Sequence, residues 1–280
     1  MTGSHKREMA DIPAGGHSPL DYAITKTAQG TLGMVQEAIA HNNTMLAFQP
    51  VMRSAGGGQV GFYEGLIRVL DPAGRVIPAA EFMGKIEDTE TGREIDVLAL
   101  RHGLHSLQKN GHLRLSVNMS ARSIGYRPWL NCLNRFLNET PGLGERLILE
   151  ITESSAMLVP ELVIDFMARL QPKGICFALD NFGSGSLAIR YFRDFDFDIL
   201  KIDGQFIRGM ATNPDNQAVV RALHAIAREF DMITVAERVE TADDAALATK
   251  IGIDCLQGYY FAAPTTQPEW LRPGRTEKRA

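Results

Sequence analysis

From residue 45 onward the chain alternates between short apolar runs and longer stretches in which apolar residues return every three or four positions. Eight short runs stand out, at 45–50, 61–70, 113–120, 146–154, 175–182, 198–203, 232–240 and 255–262. Their length and their Val, Ile, Leu and Phe content predict strands. Between them, 159–171 and 215–230 hold apolar residues at helical intervals, which predicts amphipathic crossovers. Residues 32–42 predict a short helix with Met34, Val35, Ala38 and Ile39 along one side. Strands alternating with helices imply a largely parallel sheet, and eight repeats within about 225 residues favour a closed (β/α)8 barrel over a doubly wound open sheet. No composition break divides the region, so it reads as a single domain over 29–272. Residues 1–28, rich in Gly, Pro, Ser, His and charge, read as a flexible leader, and 273–280 as a flexible tail.

The apolar runs share one chemical feature. Each carries a carboxylate, amide or lysine at or near its end: Gln49, Glu64, Asn118, Glu150, Asp180, Lys201, Glu237 and Gln257. Taken singly, such a residue is better explained as a solvated polar group at a strand end. In a barrel, however, the C-terminal ends of the strands converge on one rim and face a common cavity. Four carboxylates and an amide gathered there repel one another unless cations balance them. Hard oxygen donors of this kind suit Mg²⁺ or Mn²⁺. Two such ions bridged by shared carboxylates form a clamp for attack of water on a phosphodiester, and a neighbouring lysine, Lys201, orients that water or balances developing charge.

Composition narrows the alternatives. Of 280 residues, 45% are hydrophobic and 22% charged, the balance of an ordinary globular chain. Twenty-nine basic against 33 acidic residues give a net charge of −4 without a long basic run, which argues against binding a nucleic-acid polymer or an anionic membrane. Cys132, Cys176 and Cys255 are widely separated and lack zinc or disulfide spacing, so they read as small apolar residues. The N-terminus has no signal-type apolar core and no run approaches the ~20 residues of a membrane span. A cytoplasmic location is therefore expected.

The motifs, taken in order, resemble one family. Tyr63-Glu64-Gly65-Leu66-Ile67-Arg68 resembles the signature of the EAL domains, whose members hydrolyse the bacterial messenger cyclic di-GMP to linear pGpG. Gln49-Pro50, Ser116-Val117-Asn118-Met119-Ser120, Leu149-Glu150-Ile151-Thr152-Glu153, Leu200-Lys201-Ile202-Asp203, Ala236-Glu237 with Val239-Glu240, and Gln257-Gly258-Tyr259 continue the match over about residues 32–270. The resemblance implies a TIM-type barrel, one irregular or antiparallel strand being admissible. It also implies one metal held by Glu64, Asn118, Glu150 and Asp180, and a second by Asp180, Asn181 and Glu237. By the same resemblance Lys201 touches the nucleophilic water, so that Glu64, Lys201 and Glu237 form the catalytic set. Gln49, Leu66, Arg68 and Gln257 contact the ligand, Glu153 tethers the loop that follows residue 181, and a homodimer is a possible assembly.

Three departures from the family pattern bear on activity. Asp180-Asn181-Phe182-Gly183 has an amide where the family usually has a second Asp, and a neutral donor holds a hard cation less strongly. The residues after the loop glycine, Ser184 to Ala188, diverge, including Ser186 and Leu187. Arg238 stands where the family has glycine, beside Glu237. Three readings stay open: a phosphodiesterase, impaired at the second metal; a cyclic di-GMP receptor without hydrolysis; and a protein-interaction module. Retention of Gln49, Arg68 and the first-metal set argues against the interaction module, and the phosphodiesterase is favoured because Glu64, Asn118, Glu150, Asp180, Lys201, Glu237 and Gln257 match the family while residue 181 does not.

Overall fold

The computed structural model describes residues 19–55, 57–183 and 193–271. Among these described residues nine strands form one sheet: β1 (Thr44–Arg53), β2 (Val60–Leu70), β3 (Val76–Pro78), β4 (Leu115–Asn118), β5 (Leu147–Thr152), β6 (Cys176–Phe182), β7 (Ile199–Ile202), β8 (Ile233–Ala236) and β9 (Cys255–Leu256). The order is β1-β9-β8-β7-β6-β5-β4-β2-β3, and β1 also pairs with β2, so eight strands close into a barrel. β3 is a short antiparallel addition to the far end of β2. All barrel strands run parallel except β1, which is antiparallel to both β2 and β9.

The longer helices are α1 (Pro19–Ala40), α2 (Glu90–Lys109), α3 (Arg127–Glu139), α4 (Pro160–Leu170), α5 (Pro214–Glu229) and α6 (Ala242–Ile251). Their starts follow local chemistry. Thr89, Asn213 and Thr241 accept backbone N–H groups of the first turns of α2, α5 and α6, and Pro stands in the opening positions of α3, α4 and α5. The first helix reaches back to Pro19, well before the segment where apolar periodicity begins, and so takes in residues 19–28 that read as leader. The remainder of the leader, 1–18, and the tail from 272 lie outside the described residues. Among the described residues no helix is long and apolar enough to cross a membrane.

Two apolar layers position the site. The outer one lies between helices and strands, where Trp129 of α3, Phe166 of α4 and Phe177 of β6 stack in series with ring centroids 5.6 and 5.9 Å apart. The inner one plugs the lower barrel with Val51, Phe62, Ile148, Ala178, Ile199, Val235 and Cys255. Side chains on a strand return to one face every second residue. The residues two positions beyond this plug are therefore Glu64, Glu150, Asp180, Lys201, Glu237 and Gln257, with Ser116 and Asn118 repeating the step on β4. On the reversed strand β1 the same step runs backwards, from Val51 to Gln49. The barrel has an apolar floor, and a ring of polar groups rests on it.

Candidate functional site

The ring assembles around one ammonium. Lys201 Nζ lies 2.7 Å from Glu150 Oε2, 2.9 Å from Glu237 Oε1, 3.2 Å from Asp180 Oδ1 and 3.3 Å from Glu64 Oε2. The lysine is 1% exposed and Glu150 fully buried. Glu64 also accepts the Asn118 amide at 2.8 Å and the Gln257 amide at 2.6 Å, and Gln257 bridges on to Gln49 Oε1 at 3.1 Å. Gln49 reaches this rim although it is not at a strand's C-terminal end. It sits mid-strand on β1, directly opposite Glu64, and cross-strand partners share a face.

Burial and mutual repulsion set the charges. Burial raises the Glu150 carboxyl to about 8, with the neighbouring Glu64 charge adding to the effect. Burial likewise drives Glu237 well above the usual carboxylate range, despite the pull of Lys201. Glu64 falls below it, because Lys201 and the amides of Gln257 and Asn118 outweigh its burial. For Lys201, burial opposes the charge, yet Asp180, Glu150, Glu237 and Glu64 together hold the ammonium well above its ordinary pKa.

Asp180 and Asn181 owe their joint position to a bulge. Leu179 to Phe182 on β6 spans one residue more than Leu200 to Ile202 on β7, and Asn181 absorbs the extra residue at φ 54°. Asn adopts this left-handed conformation more readily than most side chains. The Asn181 amide then donates to Asp180 Oδ2 at 2.7 Å. Glu153, 2% exposed, accepts the Gly183 N–H at 2.9 Å, and so pins the chain where it leaves β6. The divergent residues 184–188 that follow, Ser186 among them, lie outside the described residues.

The donor types fit a hard divalent cation. Four carboxyl groups gather around Lys201 with the Asn118 amide bonded to one of them, and Glu150 Oε1 and Gln257 Oε1 are buried without hydrogen-bond partners. Among the described residues no group of three or more Asp, Glu, His or Cys side chains is arranged to hold a metal ion; the lysine ammonium stands among the four carboxyl groups instead.

Above the ring opens a cavity of about 430 Å³, lined by Gln49, Glu64, Leu66, Arg68, Glu237 and Gln257, each of which the sequence motifs single out. Its wall also contains Arg208, Arg238, Glu240 and Tyr259. Arg208 gave no signal, since it lies in the connection after β7 outside every motif. A second cavity of about 450 Å³ opens at the opposite barrel face, lined by Arg53, Arg114, Cys176 and Cys255 among others, and shares no residue with the ring.

Asp96 was also missed. This buried carboxylate on α2 accepts the Ser120 N–H at 3.0 Å and the Ser123 hydroxyl at 2.6 Å, fixing the turn that follows Asn118. A buried acid in the middle of a helical pattern has no sequence signature of its own.

The EAL domain family model matches residues 33–264. The chain belongs to the EAL domain family. Among curated relatives of this EAL domain, PdeB of Shewanella oneidensis, named a cyclic di-GMP phosphodiesterase, is 29% identical over 234 residues, 82% of this chain and 27% of the relative. PdeR of Escherichia coli, also named a cyclic di-GMP phosphodiesterase, is 29% identical over 234 residues, 82% of this chain and 35% of the relative. The chain thus spans about a third or less of these relatives' length. Among solved structures, the PaMucR phosphodiesterase in complex with c-di-GMP superposes with a TM-score of 0.74 at 27% identity, over 84% of this chain and 97% of that one. The FimX EAL domain of Pseudomonas aeruginosa bound to c-di-GMP gives 0.75 at 26% identity, over 84% and 96%.

Proposed function

We propose that this EAL domain binds cyclic di-GMP in the 430 Å³ cavity and hydrolyses one phosphodiester to give linear pGpG. The observation that carries the reading is the ring of Glu64, Glu150, Asp180 and Glu237 around Lys201, at the floor of a cavity walled by Gln49, Leu66, Arg68 and Gln257. The relatives named as phosphodiesterases and the neighbours bound to c-di-GMP support the choice of ligand.

Mg²⁺ or Mn²⁺ suits this donor set: Glu64, Asn118, Glu150 and Asp180 would hold one ion, and Asp180, Asn181 and Glu237 a second. Such ions supply acidified water and neutralise phosphate charge. The chain's own residues do the rest. Arg68, half-buried beside Glu64, binds a phosphate oxygen of the ligand through its guanidinium. Gln257, which donates to both Gln49 and Glu64, and Gln49 itself line a polar edge of the ligand. Lys201 holds the attacking water by a hydrogen bond from Nζ and balances the charge that grows on the phosphate oxygens. Glu153 keeps the chain after Asn181 in register with the rim.

One observation favours a second reading, a receptor that binds without cutting. The Asn181 amide donates to Asp180 Oδ2, the carboxylate shared by both metal sets, so the second set has one charge fewer and one oxygen already engaged. Purified protein incubated with cyclic di-GMP and Mg²⁺ or Mn²⁺, with pGpG followed by chromatography, separates the two. Appearance of pGpG supports hydrolysis. Binding by calorimetry without pGpG leaves the receptor.

A further inference from the structure

The site has more positive charge than the family pattern calls for, and one guanidinium has no assigned task. Among the described residues three arginines line the cavity: Arg68, Arg208 and Arg238. Arg208 is neutralised by Glu240, Nη2 to Oε1 at 2.5 Å. Arg68 donates to the Ile67 carbonyl at 2.9 Å and faces the Glu64 charge. Arg238 has neither a hydrogen bond nor an ion pair among the described residues.

Its backbone is also costly to hold. Arg238 has φ 53°, the left-handed region that an L side chain avoids and glycine adopts freely. The stem is seated all the same. A Cβ at Gly204 would collide with Cβ, Cγ and Cδ of Arg238, so the methylenes lie flat on the bare backbone where the turn Gly204–Ile207 begins. A guanidinium held in an unfavourable conformation, laid against a matching glycine, unpaired and at the cavity wall beside Glu237, is arranged for a partner that arrives from outside.

Resting on the reading of the cavity as a cyclic dinucleotide site, we infer that Arg238 is a specificity-determining residue that supplies the cation for the ligand's second phosphate. A cyclic dinucleotide brings two phosphodiesters. One must reach the acidic ring to be cut. The other remains among the cavity walls, where Arg208 is already balanced by Glu240 and Arg238 is not. A guanidinium meets a phosphate oxygen with charge-assisted hydrogen bonds.

The test is Arg238→Gly, which removes the guanidinium and relaxes the backbone, so that a misfolded protein does not explain lost affinity. Cyclic di-GMP is titrated calorimetrically into the full chain, wild type and variant, in Mg²⁺ and in EDTA, at low and high salt. The expected result is a Kd raised about tenfold at low salt, a smaller difference at high salt as the phosphate contact is screened, and thermal stability preserved or raised. Gly204→Ala, which keeps the charge but displaces the stem, weakens binding in the same direction. Where the enzyme turns over, KM rises and kcat does not change. If the wild type binds and Arg238→Gly binds within twofold of it, the inference is overturned while the cavity reading stands. If the wild type itself gives no binding in either buffer, the cavity reading is what fails.

Discussion

Lys201 and Glu150 meet at 2.7 Å in the barrel interior, both at or below 1% exposure. The ammonium contacts four carboxyl groups at once, and removing it leaves those that are ionised uncompensated. Lys201→Met is therefore expected to lower stability in EDTA by about 3–5 kcal/mol, the range for breaking a buried pair. The loss deepens as pH rises, because the abandoned carboxyls escape it only while protonated. Mg²⁺ should return part of the stability by binding the folded state. Urea unfolding with and without the metal reads both effects, and equal stability of variant and wild type in EDTA would remove the lysine from its proposed place as the ring's counter-ion.

The legible part of this molecule is the two-residue step. Phe62 and Glu64, Ile148 and Glu150, Ile199 and Lys201, or Cys255 and Gln257 each put an apolar floor and a polar rim on one strand face, and that alternation is written in the chain. The ring and the closed barrel follow from it once eight such runs are counted. The reversal of β1 is not written there, because Gln49 two residues before Val51 looks the same in either strand direction. Asp96, Arg208 and the start of α1 at Pro19 were also hidden. Each depends on contacts between segments or on a helix whose first turns show no apolar period.

Glu64 accepts from Asn118, Lys201 and Gln257 at once. Glu64→Ala deletes a charged donor that no neighbour replaces, and hydrolysis is expected to fall by at least about 100-fold. Gln49, Leu66 and Arg68 remain, so binding of cyclic di-GMP survives with a modest loss. Initial rates beside calorimetry check the split, and near-native turnover in the variant would refute a metal role for this residue.

Asp96 gives a pH dependence outside the ring. Burial lifts its carboxyl to about 6 against an ordinary 3.8, although Ser123 and the Ser120 N–H pull the other way. The folded protein thus binds a proton more tightly than the unfolded chain. Its contribution is fully present below about pH 4 and is lost as pH rises through 6, a difference of about 3 kcal/mol at most. Asn at this position keeps an oxygen for both donors and cannot ionise. Unfolding free energies of wild type and Asp96→Asn at pH 5 and 8 should show the wild type losing more on going to pH 8. Identical slopes would mean that Asp96 does not carry the effect.

The neutral side chain at position 181 is expected to set how far this domain hydrolyses its ligand. Asn181 sits at φ 54° in a bulge of β6 and donates its amide to Asp180 Oδ2 at 2.7 Å. Asp tolerates the same left-handed backbone, so Asn181→Asp changes charge without demanding a new fold. It withdraws the donor from Asp180, frees an oxygen of that carboxylate and adds a second anion beside it. Each change favours a divalent ion over the present arrangement. Turnover is expected to rise about tenfold, which needs only about 1.4 kcal/mol of transition-state stabilisation. In the native protein Mn²⁺ should support more activity than Mg²⁺, because an amide-containing site favours the ion with the higher affinity for mixed donors. With Asp at 181 that preference narrows. Rates of pGpG formation for both proteins across Mg²⁺ and Mn²⁺ titrations measure both effects. If Asn181→Asp leaves hydrolysis undetectable while the native protein still binds cyclic di-GMP, the charge at 181 is not what limits chemistry and the domain is a receptor.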